Sequence, residues 1–318
     1  MAPTILVTGS EGNIGTYVCR SLRETIPGTR IIRVSHSQRP TEADLYVGDL
    51  KDPRFVHDLF QKTRPQFVLH LAAQRYSASG FRDAASDLFD NDVSILQNVL
   101  RESRAVRKFI YLSSALVYET ATSVPFTEDM TESIPPPVSS YGLAKMFGER
   151  AVRLFSKQHG IPHTIWRPFN VVSPLEPHDS DGHVFVDFYR RLFVEHVPEL
   201  EIYGNGAQVR CFTWVEDVAQ AIAAYVEDTR TDNQTFNIGG DEPVNLLELA
   251  DLMLELGHEK GVLPPGYTPA IRSGGTFSGV DSEKRIPSLA SIATTLGWKP
   301  KTGTRECFSQ FIDYKTRA

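Results

Sequence analysis

The run Thr4-Ile5-Leu6-Val7 is short, β-branched and aliphatic. It stops at Thr8-Gly9-Ser10-Glu11-Gly12-Asn13-Ile14-Gly15, after which apolar residues recur at helical spacing through Val18 and Leu22. A strand that breaks into a glycine-rich turn and then a helix is the opening of a βαβ unit in a parallel sheet. Such glycines let the backbone approach a ligand closely, and the first amides of the helix present partial positive charge to it. Gly9, Gly12, Asn13, Ile14 and Gly15 are therefore expected to receive a pyrophosphate. The plainer alternative is a tight turn with no ligand, and the strand before it and helix after it argue against that.

The next segments repeat the alternation. A second strand, Arg30 to Val34, ends at Ser35, where an acidic residue about 20 positions past the glycines would normally hold an adenosine ribose 2′-hydroxyl. Ser35, Ser37 and Arg39 are instead suited to a 2′-phosphate, which favours NADP over NAD. Asp49-Leu50 follows the short strand Leu45 to Val47 and precedes a helix beginning near Pro53. Gln66 to Ala73 is a near-continuous apolar strand of the kind a parallel sheet buries on both faces. Leu71, Ala72 and Ala73 at its end leave room for a flat ligand, and His70 is expected to be a hydrogen-bonded structural histidine. A helix over Asn91 to Leu100 leads to the strand Lys108 to Leu112, which ends in Ser113-Ser114. This pattern predicts an α/β chain with a doubly wound parallel sheet whose ligands lie beyond the carboxyl ends of the strands. Ser114 arrives on that edge.

Tyr141 and Lys145 are one helical turn apart and share a face. An ammonium beside a phenol favours the phenolate and would draw the tyrosine pKa down from about 10. Such a pair is suited to proton transfer, although the same spacing also occurs on ordinary solvated helix faces.

The whole chain sets outer limits. Its 318 residues suggest roughly two domains. The net charge of -6, with Lys and Arg scattered, does not fit a nucleic-acid or polybasic membrane binder. Cys19, Cys211 and Cys307 are far apart and odd in number, so neither a disulfide framework nor a metal site is expected. A cytoplasmic location is the simplest expectation, with no secretory leader and no run long enough to span a bilayer.

Taken together, Thr8-Gly9-x-x-Gly12-x-x-Gly15, Asp49-Leu50, His70-Leu71-Ala72-Ala73, Ser113-Ser114-x-x-Val117-Tyr118 and Tyr141-x-x-x-Lys145 resemble the extended short-chain dehydrogenase/reductase family. More narrowly, they resemble its nucleotide-sugar epimerase/dehydratase branch. The likeness continues through Arg167-Pro168-Phe169-Asn170, Ile202-Tyr203-Gly204, the segment Arg210 to Ala219, Phe236 to Gly240, and Leu296 to Pro300. The resemblance implies a Rossmann domain with a smaller α/β substrate-binding domain. Residues 1–172 and 213–240 would form the first, and 173–212 and 241–318 the second.

It also implies roles. Tyr141 would be the acid/base on a sugar hydroxyl, Lys145 would hold nicotinamide ribose hydroxyls, and the Ser114 hydroxyl would bond the reacting oxygen. Asn91 would line the nicotinamide side, and Asp49 with Leu50 would meet the adenine. Asn170, Arg210 and Arg272 would grip the diphosphate of a nucleotide sugar, UDP-linked by preference, with Tyr203 near the base and Gln74 on the same side. A surface ion pair is the alternative for each arginine. Asp217 is expected to be structural, and Trp166, Trp214 and Trp298 to be packing residues. Family members often pair as dimers through two helices of the first domain.

Ala115 and Leu116 occupy the places where related dehydratases carry an Asp-Glu pair, so elimination at a second carbon lacks its residues. Hydride chemistry alone remains, which fits a 4-epimerase and equally a 4-keto-sugar reductase using NADPH. A non-catalytic dinucleotide-binding protein is a third, remote reading. Glu119, in place of the usual Gly, and Val172-Ser173, in place of Tyr-Gly, are expected to border the sugar pocket.

Overall fold

The structure is a computed structural model and describes residues 2–36, 44–74, 85–177, 182–274 and 282–317. Ser37 and Arg39 lie outside the described residues.

Seven parallel strands form the central sheet: β1 (Thr4–Thr8), β2 (Arg30–Ser35), β3 (Leu45–Val47), β4 (Phe67–His70), β5 (Lys108–Leu112), β6 (His163–Pro168) and β11 (Gln234–Ile238). Their spatial order is β3-β2-β1-β4-β5-β6-β11, so the chain reverses direction between β1 and β4. That reversal leaves a crevice at the carboxyl edge, as doubly wound sheets do. β4 and β5 are buried along their whole length, which explains their continuous apolar sequences.

Helices α1 (Gly15–Thr25), α2 (Pro53–Thr63), α3 (Ala85–Glu102) and α4 (Ser140–His159) cover the two faces. Two apolar clusters result. One lies between the sheet and α2, α3 and α4, with Leu6, Val68, Val99, Phe109 and Val152 at its centre. The other begins at Ile5, Val7 and Val18 and runs on without a break into Phe185, Leu200, Met253 and Phe308 of the second half. The two halves of the chain thus share one core.

The second half consists of short pieces. β7 (Val171–Val172) pairs with β10 (Thr213–Trp214), β8 (Glu199–Ile202) with β13 (Ala270–Ser273), and β9 (Val209–Cys211) with both β12 (Pro243–Asn245) and β14 (Lys284–Arg285). Helix α5 (Val184–Tyr189) precedes β8, α6 (Val215–Ala224) packs on α1, and α7 (Leu246–Glu259) starts with a capping box between Asn245 and Glu248. The Asp217 carboxylate accepts the backbone amides of Lys301 and Thr302 at 2.9 Å each, a structural task as expected. Trp166, Trp214 and Trp298 are all buried.

Candidate active site

The glycine turn closes as its sequence requires. Gly9 has φ +67°, and a Cβ there would lie 2.8 Å from the Ala72 nitrogen. A Cβ on Gly15 would stand 2.0 Å from the Gly9 carbonyl oxygen, so only glycine lets α1 start this close to the end of β1. Two hydroxyls tie the turn to its neighbours: Ser10 donates to the Val34 carbonyl at 3.1 Å and Ser173 to the Asn13 carbonyl at 3.3 Å.

Beside this turn lies a cleft of about 580 Å³ over the ends of β1, β2 and β4. Gly9, Gly12, Ser35, Asp49, Leu50, Leu71, Ala72, Ala73, Gln74 and Asn91 line it, together with Glu11, His36 and Ile95, which the sequence did not single out. A backbone cradle in which a Cβ would clash, opening onto this cleft, fits the phosphates and adenosine of a dinucleotide.

The second group converges on α4. Ser139 caps this helix by accepting the Gly142 amide at 3.1 Å, and Glu119 accepts the amides of Val138 and Ser139 at 2.8 Å each. Glu119 is thus buried against the start of the helix, where two amides lie within its reach. Val172 is fully buried in β7, and the Ser173 hydroxyl holds the glycine turn.

With its start fixed, α4 brings Tyr141 to within hydrogen-bonding reach of the Ser114 hydroxyl at the end of β5. Lys145 is buried, donates to the Leu112 carbonyl at 3.2 Å, and holds its Nζ 5.3 Å from the ring centres of both Tyr141 and Tyr111. The electrostatics differ from the sequence expectation. Burial pushes the Tyr141 phenol up, Asp92 adds to this, and the Ser114 hydrogen bond is what opposes it. Burial also draws the Lys145 amine down, with Asp92 holding it up. His70 is neutral, pushed down to about 3 by burial and then by Lys145, and its Nδ1 lies 3.0 Å from the Thr8 hydroxyl.

Behind Ser114 stands a buried network that sequence reasoning missed. Glu149, two turns along α4 from Tyr141, accepts from the Ser113 hydroxyl at 2.6 Å and from Arg167 Nε and Nη2 at 2.8 and 2.6 Å. Arg167, fully buried, also donates to the Tyr118 hydroxyl at 2.5 Å, which donates to Asn237 at 2.8 Å. The sequence signals were a glutamate in register with Lys145 on the same helix face and the motif positions of Tyr118 and Arg167.

The candidate sugar-side residues are less gathered. Asn170, at φ +36°, donates to the Cys211 carbonyl at 3.0 Å, and Thr213 bonds back to the Asn170 and Phe169 carbonyls. These bonds hold β9, and with it buried Arg210, past the carboxyl end of β6. Arg285 pairs with Arg210 in register across β14 and β9. Arg272 stands on β13 in an exposed ion pair with Glu199 at 3.0 Å, and Tyr203 is exposed beyond β8. Gln74 receives the Asn91 side-chain amide at 2.5 Å.

Residues 5–239 match the NAD dependent epimerase/dehydratase family. GDP-L-fucose synthase 1 of Arabidopsis thaliana is 27% identical, covering 98% of this chain and 92% of that protein. The dTDP-4-dehydro-6-deoxy-D-allose reductase of Streptomyces bikiniensis is 28% identical over 95% of this chain and 94% of its own length. Among solved structures, the UDP-glucose 4-epimerase of Thermotoga maritima with UDP-glucose superimposes with a TM-score of 0.84, at 28% identity and 99% coverage of both chains. With the doubly wound sheet, the glycine cradle and the Ser114, Tyr141 and Lys145 cluster already in place, these likenesses establish that the chain belongs to the NAD-dependent epimerase/dehydratase family of nucleotide-sugar enzymes.

Proposed function

We propose that this protein is a nucleotide-sugar 4-epimerase that retains its cofactor through the catalytic cycle. The observation that carries the reading is the pairing of Ser114 with Tyr141 beside Lys145, with only Ala115 and Leu116 where an eliminating enzyme needs acids. Nicotinamide, when bound, takes hydride from a carbinol carbon and returns it.

The chain's own residues do the rest. Tyr141 removes the proton of the sugar hydroxyl as the carbon is oxidised and restores it when the opposite face is reduced. Ser114 keeps that oxygen in line with the phenol, and Lys145 holds the ribose hydroxyls of the cofactor. Gly9 to Gly15 bind the pyrophosphate, Asp49 and Leu50 meet the adenine, and Asn91 lies towards the nicotinamide. Arg210 and Arg285, side by side, suit the sugar nucleotide's diphosphate, since guanidinium forks match phosphate oxygens. Residues 173–212 and 241–318 would then be the part that holds the nucleotide sugar, with Asn170 and Tyr203 at its entrance.

A 4-keto-sugar reductase is the second reading, favoured by one observation: Ser35, without a carboxylate, lines the cleft at the end of β2, which suits NADPH as an exchangeable reductant. Incubating the purified protein with a panel of UDP-sugars and no added nicotinamide separates the two. Epimer formation supports the first. Turnover of 4-keto sugars only when NADPH is supplied supports the second.

We also propose a homodimer through α3 and α4. Leu143, Phe147 and Leu154 are exposed on α4, and Phe147 meets Phe89 of α3 edge-on at 6.2 Å. Sedimentation of the wild type and of Phe147→Glu tests this; a wild-type monomer contradicts it.

A further inference from the structure

The network behind Ser114 joins the segments that carry the reacting groups. Arg167 is its hub, fully buried on β6, and all five of its N–H donors are used. Nε and Nη2 hold the two oxygens of Glu149, and Nη1 bonds the Tyr118 hydroxyl and, at 2.8 Å, the Glu128 carbonyl. Nη2 also reaches the Thr131 hydroxyl at 3.0 Å. Asn237 of β11 closes the far side, accepting from Tyr118 and donating to the Phe126 carbonyl at 2.9 Å. Arg153 of α4 meets Glu149 from the outer edge at 3.4 Å.

Two arms of this network bracket Ser114. Ser113, the residue before it, donates to Glu149 at 2.6 Å while its own amide donates to the Trp166 carbonyl at 2.8 Å. The Ser114 hydroxyl accepts the Leu116 amide at 3.2 Å and so caps the short 3₁₀ turn Ala115–Tyr118, whose last residue is bonded to Arg167. Glu149 lies two turns along α4 from Tyr141, in the stripe that Lys145 shares. The helix is seated tightly there, since a Cβ on Gly148 would stand 2.2 Å from the Tyr111 hydroxyl of β5. One buried pair therefore ties the backbone on both sides of Ser114 to the helix that carries Tyr141 and Lys145.

A paired charge is a poor source of stability in a core, where apolar side chains of similar volume often serve as well. What it adds is direction, because the planar fork fixes the angle of each bond it makes. We propose that Glu149 and Arg167 are positioning residues for the reaction, which hold Ser114 in line with Tyr141 through Ser113 on one side and Tyr118 on the other. The turnover part of this proposal rests on the hydride-transfer reading; the placement of Tyr141 against Ser114 does not.

Ser113→Ala and Tyr118→Phe each remove one hydroxyl from an arm of the network and leave the Glu149–Arg167 pair in place. Thermal melts check that both variants are folded. With a sugar nucleotide, each is expected to lower kcat by about 10 to 100-fold, the cost of a small misplacement of reacting groups, while KM stays within about twofold of wild type. In protein labelled with ¹³Cζ-tyrosine, the Tyr141 resonance, assigned with Tyr141→Phe, is expected to shift in both variants, although neither hydroxyl removed belongs to Tyr141 or Ser114.

A Tyr141 resonance unmoved in either variant, or an active enzyme whose kcat stays within about twofold of wild type, would leave the network a structural brace and overturn the proposal. Shifted resonances in a protein that turns over no sugar nucleotide would uphold the positioning while removing the proposed function.

Discussion

On the side of the glycine turn, nearly every candidate residue follows directly from a strand of one parallel sheet. On the sugar side, Asn170, Tyr203, Arg210 and Arg272 come from connections and from two small sheets. The first group is placed by backbone: a glycine at φ +67°, a helix start where any Cβ would stand 2.0 Å from a carbonyl oxygen, and strand ends in fixed register. The second is placed by side chains bonding to distant carbonyls, such as Asn170 to Cys211 and Thr213 to Phe169. Backbone geometry tolerates few sequences, whereas side-chain anchoring of this kind admits many, so the two sides should respond differently to substitution.

The sharpest contrast is expected at Tyr141. Tyr141→Phe should reduce turnover by about 10² to 10⁴-fold while leaving binding of both nucleotides nearly unchanged, as read by steady-state kinetics and calorimetry. An equal loss of cofactor affinity would assign the residue to binding instead.

Next comes the network behind Ser114. Burial alone would raise the Glu149 carboxyl, but Arg167 and the bonds it and Ser113 donate hold it below the ordinary range. Glu149→Ala strands a fully buried guanidinium and should cost about 3–5 kcal/mol of stability, read by urea unfolding. A loss under about 1 kcal/mol would show that the pair is readily replaced by water.

The two arginines test the sugar side. Arg210→Ala should raise the KM for the sugar nucleotide by roughly 10 to 100-fold, the value of charge-assisted bonds to a diphosphate. Arg272→Ala, which removes only an exposed pair, should change it by no more than about threefold. The reverse order would restore Arg272 to the diphosphate.

The last test concerns pH. His70 and His163 are neutral in the fold, pushed down to about 3 and about 4 by burial. The unfolded chain takes up their protons near pH 6.5, so it binds more protons than the folded chain between that value and the lowered ones. Stability should therefore fall as pH drops through this window, by at most about 1.4 kcal/mol per unit for each histidine. His70→Asn should flatten the slope of unfolding free energy against pH; an unaltered slope would locate the acid sensitivity elsewhere.

The same contrast explains what was legible in the sequence. The strand, turn and helix at residues 4–25, the buried strands β4 and β5, and the arrival of Ser114 at a sheet edge all follow from periodicity and from glycine's conformational range. Cleft residues such as Leu71 to Ala73 follow from their place after a strand. The bonds that Glu119 and Ser173 make were not legible because their partners, the amides of Val138 and Ser139 and the carbonyl of Asn13, are backbone groups whose proximity only the fold creates. Glu149 was missed because an acid on a helix ordinarily faces solvent, and only burial beside Arg167 gives it other work.

The central claim is that Ser114, Tyr141 and Lys145 support hydride transfer at a single carbinol carbon. Following deuterium in a UDP-sugar labelled at C4 tests it most directly. The account predicts an epimeric product that keeps the label at C4, with none released to water. Deuterium found at another carbon or in the solvent would contradict it.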